Sequence, residues 1–175
     1  MVAIKVPDVR AVAGNVTGGM IPTWEMREYL STILARNIPY VYVRDTRKKG
    51  GNKEKVTGAK NNPSLPLGTP FVVGEELVNF AESIINSALE LRALGYIANY
   101  GICILFYDNP VAKQALSEAG IEMIYLFTLP QLLDVAERNN THPAELIATY
   151  REFLKDPITW NKKRGFEKLE SGGTK

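Results

Sequence analysis

Segments of strand character alternate with segments of helical periodicity along almost the whole chain. Runs rich in β-branched and aromatic residues predict strands at 9–16, 40–43, 70–73, 102–106 and 121–127. Apolar residues at helical spacing predict helices at 22–34, 77–89, 111–119, 129–136 and 143–155. A helical crossover returns the chain to a parallel strand. The order therefore predicts an α/β fold with a doubly wound, mostly parallel sheet flanked by helices.

The fourth predicted strand, 102–106, is almost continuously hydrophobic. Such runs are typical of strands that are covered on both faces, so we expect Cys103 to be buried. The residues expected on central strands are Val12, Val41, Val72 and Ile104.

The length of 175 residues fits one domain, which we place at 1–166, followed by a flexible tail at 167–175. A net charge of +2 is too small to indicate nucleic acid or a membrane as the partner. No apolar stretch reaches membrane-spanning length, and the first seven residues are too few for a signal peptide. A single cysteine fits a reducing, cytoplasmic setting.

Three segments of unusual composition follow predicted strands. They are Thr17-Gly18-Gly19, a basic loop that starts at Arg44, and Gly74-Glu75-Glu76. In open α/β sheets, ligands bind in the crevice at the carboxyl ends of the strands. We therefore expect the three segments to form one site.

Each segment has a functional interpretation and a simpler one. A turn with two glycines can bind phosphate oxygens through its N–H groups, or it can be a plain tight turn. The basic loop, with seven Lys and Arg residues between 44 and 60, could close over a polyphosphate or stay solvated. Its charges predict poor order over 48–60 without a ligand. Glu75 and Glu76 could bind Mg²⁺ or ribose hydroxyls, or simply stabilise a helix N-terminus.

The order of these segments resembles that of a known enzyme family. The matching segments are Thr17-Gly18-Gly19 between a strand and a helix, Val43-Arg44 with Lys48, Glu75-Glu76 after an apolar strand, Ala119-Gly120-Ile121, 126–129 and 151–157. On these segments the chain is similar to orotate phosphoribosyltransferases from residue 9 to residue 166.

The resemblance implies a type I phosphoribosyltransferase fold. It also implies transfer of ribose 5-phosphate from phosphoribosyl pyrophosphate to orotate, with Mg²⁺ and release of pyrophosphate. A homodimer is implied, in which Lys48 is the catalytic-loop lysine that reaches into the partner subunit's site. Glu75 and Glu76 are the implied catalytic acids, which handle the ribose hydroxyls and the metal-bound substrate. The implied substrate-binding residues are Thr17, Gly18, Gly19, Arg44, Asn79 and Ser83.

Several positions depart from the family pattern. Residues 79–83 stand where the family has a threonine- and glycine-rich loop around the 5′-phosphate. There Phe80 adds bulk, and Glu82 adds a negative charge that would repel a phosphate. Asp45 and Gly50 replace a lysine and a histidine of the family. The chain also begins almost at the first core strand, without the family's helical hood over the base, which leaves the identity of the base open.

Two functions therefore remain. The first is an active phosphoribosyltransferase of pyrimidine nucleotide synthesis, which takes phosphoribosyl pyrophosphate and a nucleobase. The second is a catalytically inactive module of the same fold that binds a nucleotide, a phosphate ligand or a regulatory partner. A nucleic-acid role for the loop at 44–60 ranks third, because the loop has no interleaved aromatic residues.

Overall fold

The computed structural model describes residues 1–44 and 54–166, which form a six-stranded sheet with helices on both faces. The strands are β1 (Ala11–Asn15), β2 (Tyr40–Val43), β3 (Val56–Thr57), β4 (Pro70–Val78), β5 (Ile97–Phe106) and β6 (Glu122–Thr128). The helices are α1 (Val2–Lys5), α2 (Met20–Ile33), α3 (Glu82–Ala93), α4 (Pro110–Glu118), α5 (Leu129–Arg138), α6 (Ala144–Lys155) and α7 (Pro157–Lys163).

The strands lie in the order β3-β2-β1-β4-β5-β6, and every neighbouring pair is parallel except β2 and β3. Val12 of β1 pairs with Tyr40 of β2 on one side and with Val72 of β4 on the other. From β1 the chain builds the sheet first in one direction and then, from β4, in the other. This confirms the predicted doubly wound sheet and places its switch point between β1 and β4.

Each face of the sheet is covered by its own helices. On one face, Val2, Val6 and Leu30 of the α1 and α2 region pack with Val12 and Val72. On the other face, α3 and α4 form the larger core cluster, to which Ile84, Ala88, Leu91, Ala112 and Leu116 contribute. Cys103 belongs to the second cluster and is buried, as predicted. No helix in the described ranges is long and apolar enough to cross a membrane.

The boundary between β4 and α3 differs from the prediction. The pattern placed the end of the strand at residue 73 and Leu77 in the helix, but β4 runs to Val78 and α3 starts at Glu82. Leu77 and Val78 fit both the strand pattern and the helical pattern, and pairing with Leu105 and Phe106 of β5 keeps them in the strand. Gly74, Glu75 and Glu76 therefore lie within a strand and not after it.

Other elements were missed or misjudged. Val56 and Thr57, which were placed in the basic loop, form β3 against β2, and neither α1 nor α7 was predicted. Ile104 is 41% exposed, so the prediction that its strand is buried on both faces is wrong at this position. Residues 48–53 of the basic loop, and the tail at 167–175, lie outside the described residues.

Helix α2 lies unusually close to the sheet at the switch point. A β-carbon placed on Gly74 would lie 1.8 Å from Thr23 Cγ2, and one on Gly14 would lie 2.4 Å from Thr23 Oγ1. Tyr40 supports the same contact, since its hydroxyl lies 3.2 Å from Thr23 Oγ1 and donates to the carbonyl of Met20 at 3.0 Å. Two glycines on adjacent central strands thus admit the start of α2.

This contact predicts that Gly74→Ala destabilises the protein. The added methyl group must push Thr23 and the start of α2 away from the sheet, which we expect to cost about 1–3 kcal/mol of unfolding free energy. Urea denaturation measures the loss. Gly101→Ala is the control, because its methyl group would first meet the flexible Met123 side chain. A loss in Gly74→Ala no larger than in Gly101→Ala would contradict the interpretation.

Candidate active site

The predicted site residues converge on one edge of the sheet. β2, β1 and β4 are parallel neighbours, so their carboxyl ends meet at the switch point. The glycine turn follows β1, Arg44 follows β2, and Glu75 and Glu76 lie near the end of β4. The predicted convergence of these three segments is therefore present. Lys48 lies outside the described residues.

The glycine turn is packed tightly against the sheet. A β-carbon on Gly19 would lie 2.5 Å from the carbonyl oxygen of Gly74 and 3.0 Å from the backbone nitrogen of Asn15. Thr17 is exposed, and the peptide bond before it is cis. Gly19 is also the N-cap of α2, and no side chain accepts a hydrogen bond from the first turn there. Met20 N–H donates to the carbonyl of Thr17 at 3.2 Å, and Pro22 has no N–H. An anion at this turn would therefore meet the N–H groups of Gly18, Gly19 and Ile21.

The two acidic residues point in different directions. Adjacent residues of a strand face opposite sides of a sheet. Glu76 is exposed, and its carboxyl group lies against Gly18, where a β-carbon would come within 2.4 Å of it. Glu75 is half-buried on the α3 side, where Asn15 Nδ2 donates to its Oε1 at 2.9 Å. The carboxylates therefore serve different parts of the site.

This separation bears on the predicted metal site. Within the described residues no group of three or more His, Cys, Asp and Glu side chains could hold a metal ion. Mg²⁺ commonly keeps waters and takes only one or two carboxylates, with substrate phosphates as its remaining ligands. The residues present fit an ion that arrives on a phosphorylated substrate, with Glu76 as the carboxylate nearest the glycine turn.

Arg44 is held at the corner between β2 and β3. Its guanidinium group donates to Thr57 Oγ1 at 2.7 Å and lies over the ring of Tyr42, 4.6 Å from the ring centre. The backbone N–H of Val16 donates to the carbonyl of Val43, which places Arg44 beside the glycine turn. The backbone of Arg44 thus lies beside the turn, and its guanidinium group is held toward β3 by Tyr42 and Thr57.

A second anion-sized site lies between the end of β4 and the start of α3. Glu75 and Ser83 are among the residues that line a cavity of about 100 Å³ there. Ala81 is the N-cap of α3, and no side chain caps the first turn. Asn79 also lines the cavity, and Asn109 Nδ2 donates to its backbone carbonyl at 2.8 Å and fixes the loop.

The two residues that depart from the family pattern in this loop, Phe80 and Glu82, lie in different environments. Phe80 lines the cavity, but its ring is buried against Phe153 of α6, with 6.4 Å between ring centres. Glu82 is exposed and is not among the residues that line the cavity. Phe80 therefore anchors the loop through its ring, and a cavity of about 100 Å³ remains beside it.

Comparison with known proteins identifies the family. No family model matches the chain. The orotate phosphoribosyltransferase of Bacteroides fragilis is 33% identical over 152 residues, which are 87% of this chain and 66% of that protein. That of Listeria monocytogenes is 30% identical over 156 residues, which are 89% of this chain and 69% of that protein. The chain belongs to the orotate phosphoribosyltransferase family. It spans about two thirds of the length of these relatives.

Solved structures of the orotate phosphoribosyltransferase family share the fold. The enzyme from Aeropyrum pernix superimposes with a TM-score of 0.57 at 27% identity, over 77% of this chain and 67% of its own. The Mycobacterium tuberculosis enzyme, in complex with 5-phospho-α-D-ribosyl 1-diphosphate, gives a TM-score of 0.55 at 16% identity, over 73% of this chain and 68% of its own. The doubly wound sheet described above is thus the fold of this family.

Sequence reasoning missed three residues at this end of the sheet. Asn15 and Ser87 are buried and hydrogen-bonded to each other, although 72 positions separate them, and no local pattern signals such a pair. Ala81 has φ 68° and ψ 6°, the left-handed region that disfavours a β-carbon. The glycines that the family has at this loop could have indicated that the backbone of Ala81 is left-handed. The prediction considered only the side chains of Phe80 and Glu82.

The backbone of Ala81 predicts that Ala81→Gly stabilises the protein. Left-handed geometry costs an alanine about 1–2 kcal/mol, which glycine avoids. The greater conformational freedom of glycine in the unfolded state offsets about 0.5–1 kcal/mol of this stabilisation. We expect a net increase of about 0.5–1 kcal/mol in unfolding free energy by urea denaturation. Ala35→Gly, at φ 48° beyond the end of α2, is the matched control and should stabilise similarly. Only Ala81→Gly should also tighten the binding of inorganic phosphate, since it alone opens the cavity. Destabilisation by Ala81→Gly would contradict this account.

Proposed function

We propose that this protein transfers ribose 5-phosphate from phosphoribosyl pyrophosphate to orotate, with Mg²⁺ bound to the substrate and pyrophosphate as the leaving group. The product is a pyrimidine nucleotide, which places the protein in pyrimidine biosynthesis. Membership of the orotate phosphoribosyltransferase family supports the reaction class. The single observation that carries the proposal is the layout of the site along the sheet edge.

That layout matches the layout of the substrate. Phosphoribosyl pyrophosphate carries an anion at each end of a ribose whose hydroxyl groups lie between them. The site has an uncapped helix start after β1, another after β4, and the two carboxylates of β4 between them. Helix N-termini favour anions, and carboxylates accept hydrogen bonds from hydroxyl groups.

The anion sites divide between the two ends of the substrate. Thr17, Gly18 and Gly19 would bind pyrophosphate at the start of α2, and Arg44, which follows β2, would add positive charge there. Asn79 and Ser83, with the first N–H groups of α3, would bind the 5′-phosphate in the small cavity. Glu82 in the first turn of α3 weakens this second site, because a carboxylate opposes the positive end of the helix.

The chemistry is a displacement at C1 of the ribose. The bond from C1 to the pyrophosphate oxygen breaks, a ring nitrogen of the base bonds to C1, and the proton of that nitrogen is released to water. Positive charge develops on the ribose ring, and Glu75 and Glu76 stabilise it through the ribose hydroxyls. Mg²⁺ bound to the pyrophosphate would offset the negative charge of the leaving group. Lys48, as the family's catalytic-loop lysine, would add positive charge there from the other subunit of a homodimer.

A cytoplasmic setting is proposed with this function. The lone cysteine fits a reducing compartment. Cys103 itself has no part in the chemistry, because burial and the nearby charge of Glu75 raise the pKa of its thiol to about 12.

Calorimetric titration with phosphoribosyl pyrophosphate and Mg²⁺, followed by an orotate consumption assay, tests the proposal. We expect binding and turnover in the native protein. Glu76→Gln should lower turnover at least about 100-fold, since it removes a charge beside the reacting ribose. Glu118→Gln, an exposed change on α4, is the control. Binding without turnover would favour the inactive module instead, and no binding at all would leave only the fold.

A second variant tests the weakened phosphate site. Glu82→Gln keeps the shape of the side chain and removes its charge from the start of α3. We expect phosphoribosyl pyrophosphate to bind about two- to fivefold more tightly, as a charge at a helix end is worth about 0.3–1 kcal/mol. Glu145→Gln removes the equivalent first-turn charge from α6 and should change nothing. Unchanged affinity in Glu82→Gln would show that this carboxylate does not oppose the substrate.

A further inference from the structure

One tyrosine side chain runs from the start of β2 to the start of α2. Tyr40 is the first residue of β2 and pairs with Val12 of β1. Its hydroxyl oxygen nevertheless lies 2.2 Å from the place that a β-carbon of Gly14 would take, two residues further toward the carboxyl edge of the sheet. There the hydroxyl donates to the carbonyl of Met20 at 3.0 Å. The side chain thus links the sheet to the first turn of the helix that follows the glycine turn.

The carbonyl that accepts this hydrogen bond shares a peptide unit with the N–H group of Ile21. A trans peptide is planar, so its C=O and N–H groups point in opposite directions and turn together. A donor that holds the carbonyl of Met20 therefore also sets the direction of the Ile21 N–H. Hydrogen bonding at the carbonyl polarises the peptide as well and makes its N–H a stronger donor. This N–H is one of the three that an anion at the glycine turn would meet.

Packing alone does not call for the hydroxyl group of Tyr40. The ring lies edge-on to Trp24, with 5.3 Å between ring centres, and a phenylalanine ring would make the same contact. A hydroxyl group away from water must find hydrogen-bond partners, so it adds a requirement that phenylalanine does not have. Thr23 Oγ1 also approaches the carbonyl of Met20, at 3.2 Å, but Thr23 belongs to α2 and moves with it. The bond from Tyr40 instead ties this peptide to the sheet.

We propose that Tyr40 is a positioning residue, whose hydroxyl group holds the Met20–Ile21 peptide so that its N–H group binds the pyrophosphate of phosphoribosyl pyrophosphate. The inference rests on the proposed function and deepens it, because it names the side chain behind the pyrophosphate site. Tyr40 acts through the backbone of α2 and not by contact with the substrate. Burial raises the pKa of its hydroxyl group above the usual value, so the group stays protonated and able to donate near neutral pH.

The first test needs no substrate. In protein labelled with ¹³C and ¹⁵N, the carbonyl resonance of Met20 and the N–H order parameter of Ile21 report on this peptide. Tyr40→Phe removes the hydrogen bond, so we expect the carbonyl resonance to move upfield and the order parameter to fall below about 0.85, the value of a rigid backbone. Tyr96→Phe is the matched control, since its hydroxyl group meets the carbonyl of Leu65 at 3.5 Å, before β5 at the amino ends of the strands. It should change neither quantity.

The second test separates positioning from general damage. Inorganic pyrophosphate with Mg²⁺ probes the glycine turn, and ribose 5-phosphate probes the cavity at the start of α3. By calorimetry, Tyr40→Phe should weaken the binding of pyrophosphate about three- to tenfold, as the loss of one well-placed hydrogen bond predicts. It should leave the binding of ribose 5-phosphate within about twofold, because distant sites respond independently. Phosphoribosyl pyrophosphate with Mg²⁺ should show the same loss as pyrophosphate, and Tyr96→Phe should affect none of the three ligands.

The outcomes are distinguishable. An unchanged Met20 carbonyl resonance and Ile21 order parameter in Tyr40→Phe would overturn the inference whether or not any substrate binds. Equal losses for pyrophosphate and ribose 5-phosphate would also overturn it, since they would indicate a structural role alone. If the native protein binds neither pyrophosphate nor phosphoribosyl pyrophosphate, the proposed function fails and the assignment of the ligand fails with it. The two spectroscopic measurements would then still decide whether Tyr40 directs the Ile21 N–H group.

Discussion

The site depends on how closely α2 approaches the centre of the sheet. Gly14 and Gly74 lack the side chains that would keep Thr23 away, and Gly19 rests directly on the backbones of β1 and β4. Interiors packed at crystal density transmit such displacements instead of absorbing them. The glycine turn is therefore positioned by the core and not by its own short sequence. Its N–H groups and the carboxyl group of Glu76 keep their relative position because the same contact holds both.

The continuation of β4 past Glu76 has an equal effect on chemistry. Had the strand ended at residue 73, both carboxylates would lie in a loop and could turn toward one ligand. Strand geometry instead sends Glu76 toward the glycine turn and Glu75 toward α3. One acid is then solvated and close to the glycine turn, and the other is half-buried and accepts a hydrogen bond from Asn15. Two adjacent residues of the same type acquire different environments.

Sequence patterns predicted the sheet and the edge that carries the site, because strand order follows from crossover connections and ligand crevices follow from strand order. They failed where a short apolar segment fits both the two-residue repeat of a strand and the 3.6-residue repeat of a helix, as at Leu77 and Val78. They failed also at Ile104, because an apolar run does not say how far the covering helices extend. The Asn15–Ser87 pair joins residues 72 positions apart, and only the packing of α3 on β1 brings them together. Lys48 stays a prediction.

The aromatic contact between Phe80 and Phe153 has a consequence for ligand affinity. Loops that close around phosphate usually lose conformational freedom when the ligand arrives, and that loss is subtracted from the binding energy. Here α6 holds the β4–α3 loop through Phe80, and Phe153 is held in turn by Trp160 of α7. The helices α6 and α7 thus support a loop that is distant from them in sequence. The loop is therefore ordered by folding itself, and a phosphate ligand in this cavity would not have to order it.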